Sequence, residues 1–283
     1  MIRGTTKNLG VMGWPIAHSL SPVLQNAAIE RAGMDYAYIA LPVAPETLPA
    51  AVEGLRALRF SGWNVTIPHK EAIMLLLDEI DEGAQKIGAV NTVVNREGRL
   101  CGYNTDAEGF LGALRGRFDL CGKEVVMLGA GGAARAVLWA LLKEKASVTI
   151  GVRAPQRVQA LANRFSDYGT VRVLHWETDA FQASLGRAEL LVNTTPLGMA
   201  PQTDAMPPID WAALRSSALV YDIIYTPAET RFLREAREHG HATINGEHML
   251  AGQGAAAFAL WTGVEPDCAY MEEKLRAALC EVK

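Results

Sequence analysis

Hydrophobic runs and helix-patterned stretches alternate along the chain, with no internal repeat and no low-complexity segment. Residues 9–12 read as a strand. Residues 21–32 read as a helix, with Ser21 as N-cap, Pro22 at the first helical position and Gly33 just past the end. A strand over 36–41, a helix over 48–58 and a strand over 62–67 follow. Residues 89–95 and 100–103 read as a hairpin turning at Arg96-Glu97-Gly98, and a helix runs over 107–117.

A second series then begins: a strand at 124–128, a helix at 132–145 and a strand at 147–152. Further strands are predicted at 171–174, 190–193, 219–222 and 242–245. Strand–helix alternation of this kind predicts an α/β fold with a parallel sheet covered on both faces. The end of the chain, 249–262 and 267–280, is purely helical and is expected to pack back on the first domain. The boundary near Asp106 carries no flexible linker, so a helix is expected to cross between the domains with a cleft beside it.

Composition narrows the class. The 283 residues are 49% hydrophobic and 20% charged, which is ordinary for a globular protein and long enough for two domains. A net charge of −4 offers no basic footprint for nucleic acid. No run approaches the roughly 20 apolar residues of a membrane span. The first six residues lead into no apolar signal region. Cys101, Cys121, Cys268 and Cys280 form no CxxC or metal-like spacing and read as reduced thiols, so a cytoplasmic location is expected. The histidines include no HExxH, and the Glu-His-Gly-His stretch at His239 and His241 reads as a surface loop; no metal site is predicted.

Candidate chemistry concentrates at Asn64-Val65-Thr66-Ile67-Pro68-His69-Lys70. Period-two alternation places Asn64 and Thr66 on one face of a strand. Pro68 ends the ladder because it has no N–H to donate. Lys70 follows at a helix start, so two hydrogen-bonding groups and an amine meet where a strand leaves its sheet. A carboxylate such as Asp106 would orient that amine for proton transfer; a plain exposed lysine is the bland alternative. Upstream, Ser19 and Ser21 offer two hydroxyls beside a helix N-terminus, suited to a carboxylate, although capping alone explains Ser21. Downstream, Gly129, Ala130, Gly131, Gly132 and Ala133 follow a buried strand and open a helix. Such a loop lets a backbone approach a pyrophosphate at a helix N-terminus, or forms a tight turn with no ligand. The next strand ends at Val152-Arg153 without the acid that would read NAD ribose hydroxyls. Arg153 and Arg157 are four apart, placed to face one way at a helix start, and suit a 2′-phosphate, which favours NADP.

These motifs together resemble the shikimate dehydrogenase family over nearly the whole chain. The matching segments are 13–22, 64–70, Gly88-Ala89-Val90-Asn91-Thr92, Asn104-Thr105-Asp106 and 129–133. Asn193-Thr194-Thr195-Pro196-Leu197-Gly198-Met199, Tyr221-Asp222-Ile223-Ile224-Tyr225 and 246–253 continue the match. The resemblance implies a substrate domain (1–106) completed by C-terminal helices (246–283), around a Rossmann NADP-binding domain (107–245). It implies reversible NADPH-dependent reduction of 3-dehydroshikimate to shikimate. Lys70 and Asp106 would be catalytic. Ser19 and Ser21 would hold the substrate carboxylate, and Asn64, Thr66, Asn91, Tyr225 and Gln253 would contact the substrate. Gly129 to Ala133, Val152, Arg153, Arg157, Ile223 and Gly246 would line the cofactor, with Glu82 as a further cofactor contact. The only partner implied is the small-molecule substrate; a homodimer is allowed rather than required.

The resemblance departs at two places. The usual Asn-Arg-Thr after the second strand is Val152-Arg153-Ala154, which predicts a weaker NADP preference than the family norm. Ile223 stands where methionine is common. Two other readings stay open at this point: a quinate/shikimate dehydrogenase using NAD, and a catalytically idle NADP-binding paralogue. Retention of Ser19 and Ser21 fits shikimate better than quinate, and retention of Lys70 and Asp106 fits catalysis.

Overall fold

The computed structural model describes residues 2–281. It contains two six-stranded sheets. Each lies in its own compact unit, one comprising residues up to Gly109 together with those from Leu250 on, the other Phe110–Met249.

In the first unit, β1 (Lys7–Gly13) is flanked by parallel β2 (Tyr36–Pro42) and β3 (Gly62–Val65). Beyond β3 lies the hairpin of β5 (Thr92–Arg96) and β6 (Arg99–Tyr103), and β4 (Glu79–Ile80) forms the far edge, giving the order β2-β1-β3-β5-β6-β4. The hairpin turns on Glu97 and Gly98, both at positive φ (55° and 95°). That geometry matches the twist of the flanking strands and is relaxed at glycine. Period two divides the strands. Leu9, Val11 and Tyr38 point to one face, where α1 (Ser21–Arg31), α9 (Glu247–Thr262) and α10 (Cys268–Glu281) cover them through Leu24, Phe258 and Met271. Met12, Trp63 and Val65 point to the other, against α2 (Leu48–Ala57) through Val52 and Leu55. The C-terminal helices therefore complete the core of the first unit.

Three local expectations change. Helix α1 begins one step earlier than its predicted cap: Leu20 is the N-cap, with no side chain able to cap, and Ser21 is the first helical residue. β3 ends at Val65, so Thr66 lies just past the strand, its N–H still donating to Met12 O (2.9 Å). Lys70 does not open an α-helix; it sits in a turn before a 3-10 helix at Ala72–Leu76. The α3 helix (Glu82–Ile87), capped by the Asp81 carboxylate accepting from Gly83 N–H, lies in a stretch too short to show periodicity.

The second unit is parallel throughout. From one edge its strands are β9 (Val171–His175), β8 (Ser147–Val152), β7 (Glu124–Leu128), β10 (Leu190–Asn193), β11 (Leu219–Asp222) and β12 (Thr243–Ile244). The order reverses between β7 and β10, the doubly wound pattern in which ligands sit beyond the strands' carboxyl ends. Helix α5 (Gly132–Lys143) returns the chain from β7 to β8, α7 (Asp179–Leu185) from β9 to β10, and α8 (Arg231–Glu238) from β11 to β12. Val126, Leu191 and Val220 are packed against Phe181, Trp211 and Phe232, which is why these strands read as unbroken apolar runs.

Candidate active site

The first unit carries a polar network inside its apolar helix-covered face. Asn64 pairs in register with Val11, and Leu9 pairs with Tyr38, so Asn64 and Tyr38 share the face of Leu9 and Val11. A buried carboxamide there must find partners or cost several kcal/mol. It finds them: Asn64 Nδ2 donates to Asn91 O (3.1 Å) and Thr92 Oγ1 (3.0 Å), and Tyr38 Oη donates to Asn64 Oδ1 (2.6 Å).

Asn91 is the hub, with 2% exposure. Its Oδ1 accepts from Thr105 N–H (2.8 Å) and Thr92 Oγ1 (2.9 Å). Its Nδ2 donates to Asp106 Oδ1 (2.8 Å) and Thr105 Oγ1 (2.9 Å), with Gln253 Oε1 at 3.4 Å. Asp106 opens α4 (Asp106–Leu114), where the helix dipole favours its negative charge. Its Oδ2 accepts from Lys70 Nζ at 2.5 Å, with the two side chains only 12% and 6% exposed. Lys70 is held from its backbone: Lys70 O accepts from Val90 N–H (2.8 Å). The neighbouring His69 is 1% exposed and spans to Val43 O at 2.7 Å, tying this turn to the chain leaving β2. Lys70, Asp106, Asn91, Asn64 and Gln253 thus form one bonded cluster.

The remaining first-unit candidates lie around it. Thr66 is half-buried and its methyl crowds Gly13: a Cβ on that glycine would stand 2.5 Å from it. Trp14 N–H donates to Ile67 O, which seats the segment carrying Ser19 and Ser21 beside the Thr66 turn. Ser19 Oγ accepts from Ser21 N–H (3.3 Å), so Ser19 rather than Ser21 serves the helix end. Glu82 is exposed on α3 and paired with Lys86 at 2.5 Å.

In the second unit the candidates stand at the carboxyl ends of adjacent strands. After β7, Gly129 takes φ +101°, and a Cβ there would meet Thr194 Oγ1 at 2.8 Å. Ala130 follows, Gly131 is the N-cap of α5 with no side-chain bond to the helix, and open space surrounds it. Gly132 and Ala133 form the first turn. This bare helix N-terminus, without an acidic residue in its first turn, fits a pyrophosphate. After β8, Val152 is buried and Arg153 exposed. Arg157 does not share a helix with Arg153: it closes a 3-10 turn at Pro155–Arg157, and α6 (Gln159–Arg164) starts later. The helical four-residue spacing between the two arginines therefore does not apply. The cationic end of β8 still fits a phosphate better than a bare ribose.

After β11, Ile223 and Tyr225 are half-buried, and burial pushes the Tyr225 phenol up to about 12. Gly246 lies under them: its N–H donates to Ile224 O (2.9 Å), and a Cβ would collide with Ile223 O at 2.1 Å. Asp222, fully buried, accepts from Thr230 Oγ1 (2.7 Å), Ile224 N–H and Asn193 Nδ2 (3.1 Å each). Asn193 in turn accepts from Thr195 N–H and Thr195 Oγ1, so one polar chain shapes the loops after β10 and β11.

Sequence reasoning missed Tyr38, Thr105, His69 and Asp222 as site-shaping residues. Thr105, His69 and Asp222 lay inside motifs already singled out. Tyr38 gave no local signal, because its partner is distant in the chain.

Residues 11–93 match the shikimate dehydrogenase substrate binding domain and residues 246–276 match the shikimate 5′-dehydrogenase C-terminal domain. The shikimate dehydrogenase (NADP(+)) of Carboxydothermus hydrogenoformans is 45% identical over 275 residues, 97% of this chain and 98% of that protein. Among solved structures, a shikimate dehydrogenase in complex with NADP+ superposes with a TM-score of 0.91 at 40% identity, covering 99% of this chain and 98% of the other. The Thermus thermophilus shikimate 5-dehydrogenase, in complex with NADP(H) and shikimate, gives a TM-score of 0.87 at 42% identity, covering 96% and 100%. With a bonded lysine–aspartate cluster in one unit and a bare glycine-loop helix end in the other, this chain belongs to the shikimate dehydrogenase family.

Proposed function

We propose that this protein is an NADP-dependent shikimate dehydrogenase, catalysing the reversible reduction of 3-dehydroshikimate to shikimate. Family membership and the NADP(+)-dependent relatives support the activity. The observation that carries the residue assignment is the Lys70–Asp106 pair, nine-tenths buried yet bonded on into a shell of carboxamides and hydroxyls.

NADPH, when bound, supplies the hydride to the ketone carbon. The electrons displaced onto the ketone oxygen need a charge partner and a proton. Lys70 supplies both: its ammonium stabilises the developing oxyanion and transfers the proton, which solvent later replaces. One ammonium hydrogen is committed to Asp106 Oδ2, and the others remain for substrate. Asp106 keeps the amine aimed, and Asn91 keeps Asp106 aimed through its other oxygen. Asn64, Thr66, Asn91 and Gln253 contact the substrate, Ser19 and Ser21 take its carboxylate, and Tyr225 is a further contact. The bare α5 N-terminus at Gly129, Ala130, Gly131, Gly132 and Ala133 takes the pyrophosphate, Arg153 the 2′-phosphate. Val152, Arg157, Ile223, Gly246 and Glu82 complete the cofactor assignment. Four free cysteines support a cytoplasmic location.

Lys70→Ala tests the assignment. It should lower kcat by two orders of magnitude or more while changing shikimate KM little, read from steady-state NADPH formation. Near-normal turnover would remove Lys70 from the chemistry.

A further inference from the structure

Resting on the shikimate reading, we propose that Tyr38 is a positioning residue of the substrate site. Its hydroxyl braces the Asn64 carboxamide in the orientation that Asn91 O imposes, so that Asn64 can serve a substrate only as an acceptor, and therefore reads a hydroxyl and not the ketone.

The orientation of Asn64 follows from what surrounds it. One end of its carboxamide lies 3.1 Å from Asn91 O. A backbone carbonyl has no hydrogen, so only the nitrogen can face it. The second N–H of that nitrogen goes to Thr92 Oγ1 at 3.0 Å. Thr92 has to be the acceptor there, because its own hydrogen is directed to Asn91 Oδ1 at 2.9 Å. That atom of Asn91 is an oxygen in turn, since it also receives the Thr105 backbone N–H at 2.8 Å. Both Asn64 N–H groups are thus spent inside the protein.

Asn64 Oδ1 consequently faces Tyr38 Oη at 2.6 Å, and the phenol donates. Tyr38 is 2% exposed in β2, and its ring lies against Trp261 with centroids 5.9 Å apart. Trp261 is itself anchored by donating to Val93 O (2.9 Å). Burial pushes the phenol's pKa well above its ordinary value, so it keeps its proton at every working pH. Rotation of Asn64 would turn its Oδ1 against Asn91 O, acceptor against acceptor, and the phenol, held against Trp261, bonds the one orientation that avoids this. One lone pair on Oδ1 is left for a ligand. A hydroxyl gains a bond there; a ketone or ether oxygen meets only repulsion. Asn64 thereby takes one of the hydroxyls the reaction leaves intact, and the ketone is left to Lys70.

Tyr38→Phe keeps the ring and removes only the donor. Losing one neutral hydrogen bond corresponds to roughly 3–10-fold in affinity. Calorimetry should show shikimate Kd raised by about that factor, with NADP+ Kd changed less than twofold and kcat less than threefold. A lowered melting temperature with unchanged shikimate Kd would overturn the proposal. The wild-type protein supplies a second arm, using shikimate analogues in which each surviving hydroxyl is replaced by hydrogen or by fluorine, which cannot donate. At the hydroxyl read by Asn64, the fluoro analogue should bind as weakly as the deoxy one. Recovery of affinity by fluorine at both positions would show a donor facing the substrate and overturn it. A wild-type protein that binds NADP+ but no shikimate would instead contradict the functional reading on which the proposal rests.

Discussion

Two carboxylates show how burial and partners decide what a residue does. Asp106 is buried beside the Lys70 cation at a helix N-terminus. Breaking such a pair leaves an uncompensated buried charge, at about 3–5 kcal/mol. Asp222 is buried without a cation, and desolvation lifts its pKa to about 7 although Thr230, the Ile224 N–H and Asn193 pull the other way. Between about pH 4 and 7 the native state therefore holds a proton that the unfolded chain has released. Stability contributed by this group is complete below the unfolded pKa and is lost as pH rises through about 7. Asp222→Asn mimics the protonated side chain. It should flatten this part of the pH dependence, so that the urea midpoint of the variant gains on wild type between pH 5 and pH 8. A parallel pair of curves would show that Asp222 is ionised throughout. Residue identity at Asn64, Asn91, Lys70 and Asp106 was legible in the sequence because short motifs kept them together. Tyr38 was not, since nothing in residues 36–41 announces a partner in β3.

At the scale of elements, β3 and α9 position the cluster together. Trp261 of α9 donates across to Val93 O of β5, and a Cβ on Gly62 of β3 would stand 2.3 Å from its Nε1. The glycine lets α9 lie close to the sheet, and Gln253 on the same helix then reaches Asn91. Gly62→Ala should destabilise the protein by about 1–3 kcal/mol by overpacking, measured by urea unfolding, and should raise shikimate KM as α9 is displaced. Unchanged stability would mean that α9 yields freely at this point. Strands of the second sheet were read to the residue at 124–128, 147–152, 190–193 and 219–222, because they are apolar runs bounded by turns. Helix ends and 3-10 turns were not, at Ser21, Lys70 and Arg157. The turn at Lys70 depends on distant partners, since Lys70 is fixed by Val90 N–H and His69 by Val43 O, and neither contact is local.

At the scale of the molecule, a mixed sheet closed by C-terminal helices carries the Lys70–Asp106 pair, and a doubly wound parallel sheet carries the bare N-terminus of α5. Among the described residues no helix is long and apolar enough to cross a membrane. The alternation of strands and helices made this α/β division readable, and the tail was expected on the first domain because it is purely helical and follows the last strand of the second. Cofactor choice rests on less: Arg153 is exposed after β8 and lacks the asparagine and threonine usual beside it. The most direct test is a spectrophotometric assay of the purified protein with shikimate, supplying NADP+ and NAD+ in turn. The account predicts shikimate-dependent reduction of NADP+ with a kcat/KM at least tenfold above that with NAD+. Absence of shikimate-dependent reduction with either cofactor, or a preference for NAD+, would contradict it.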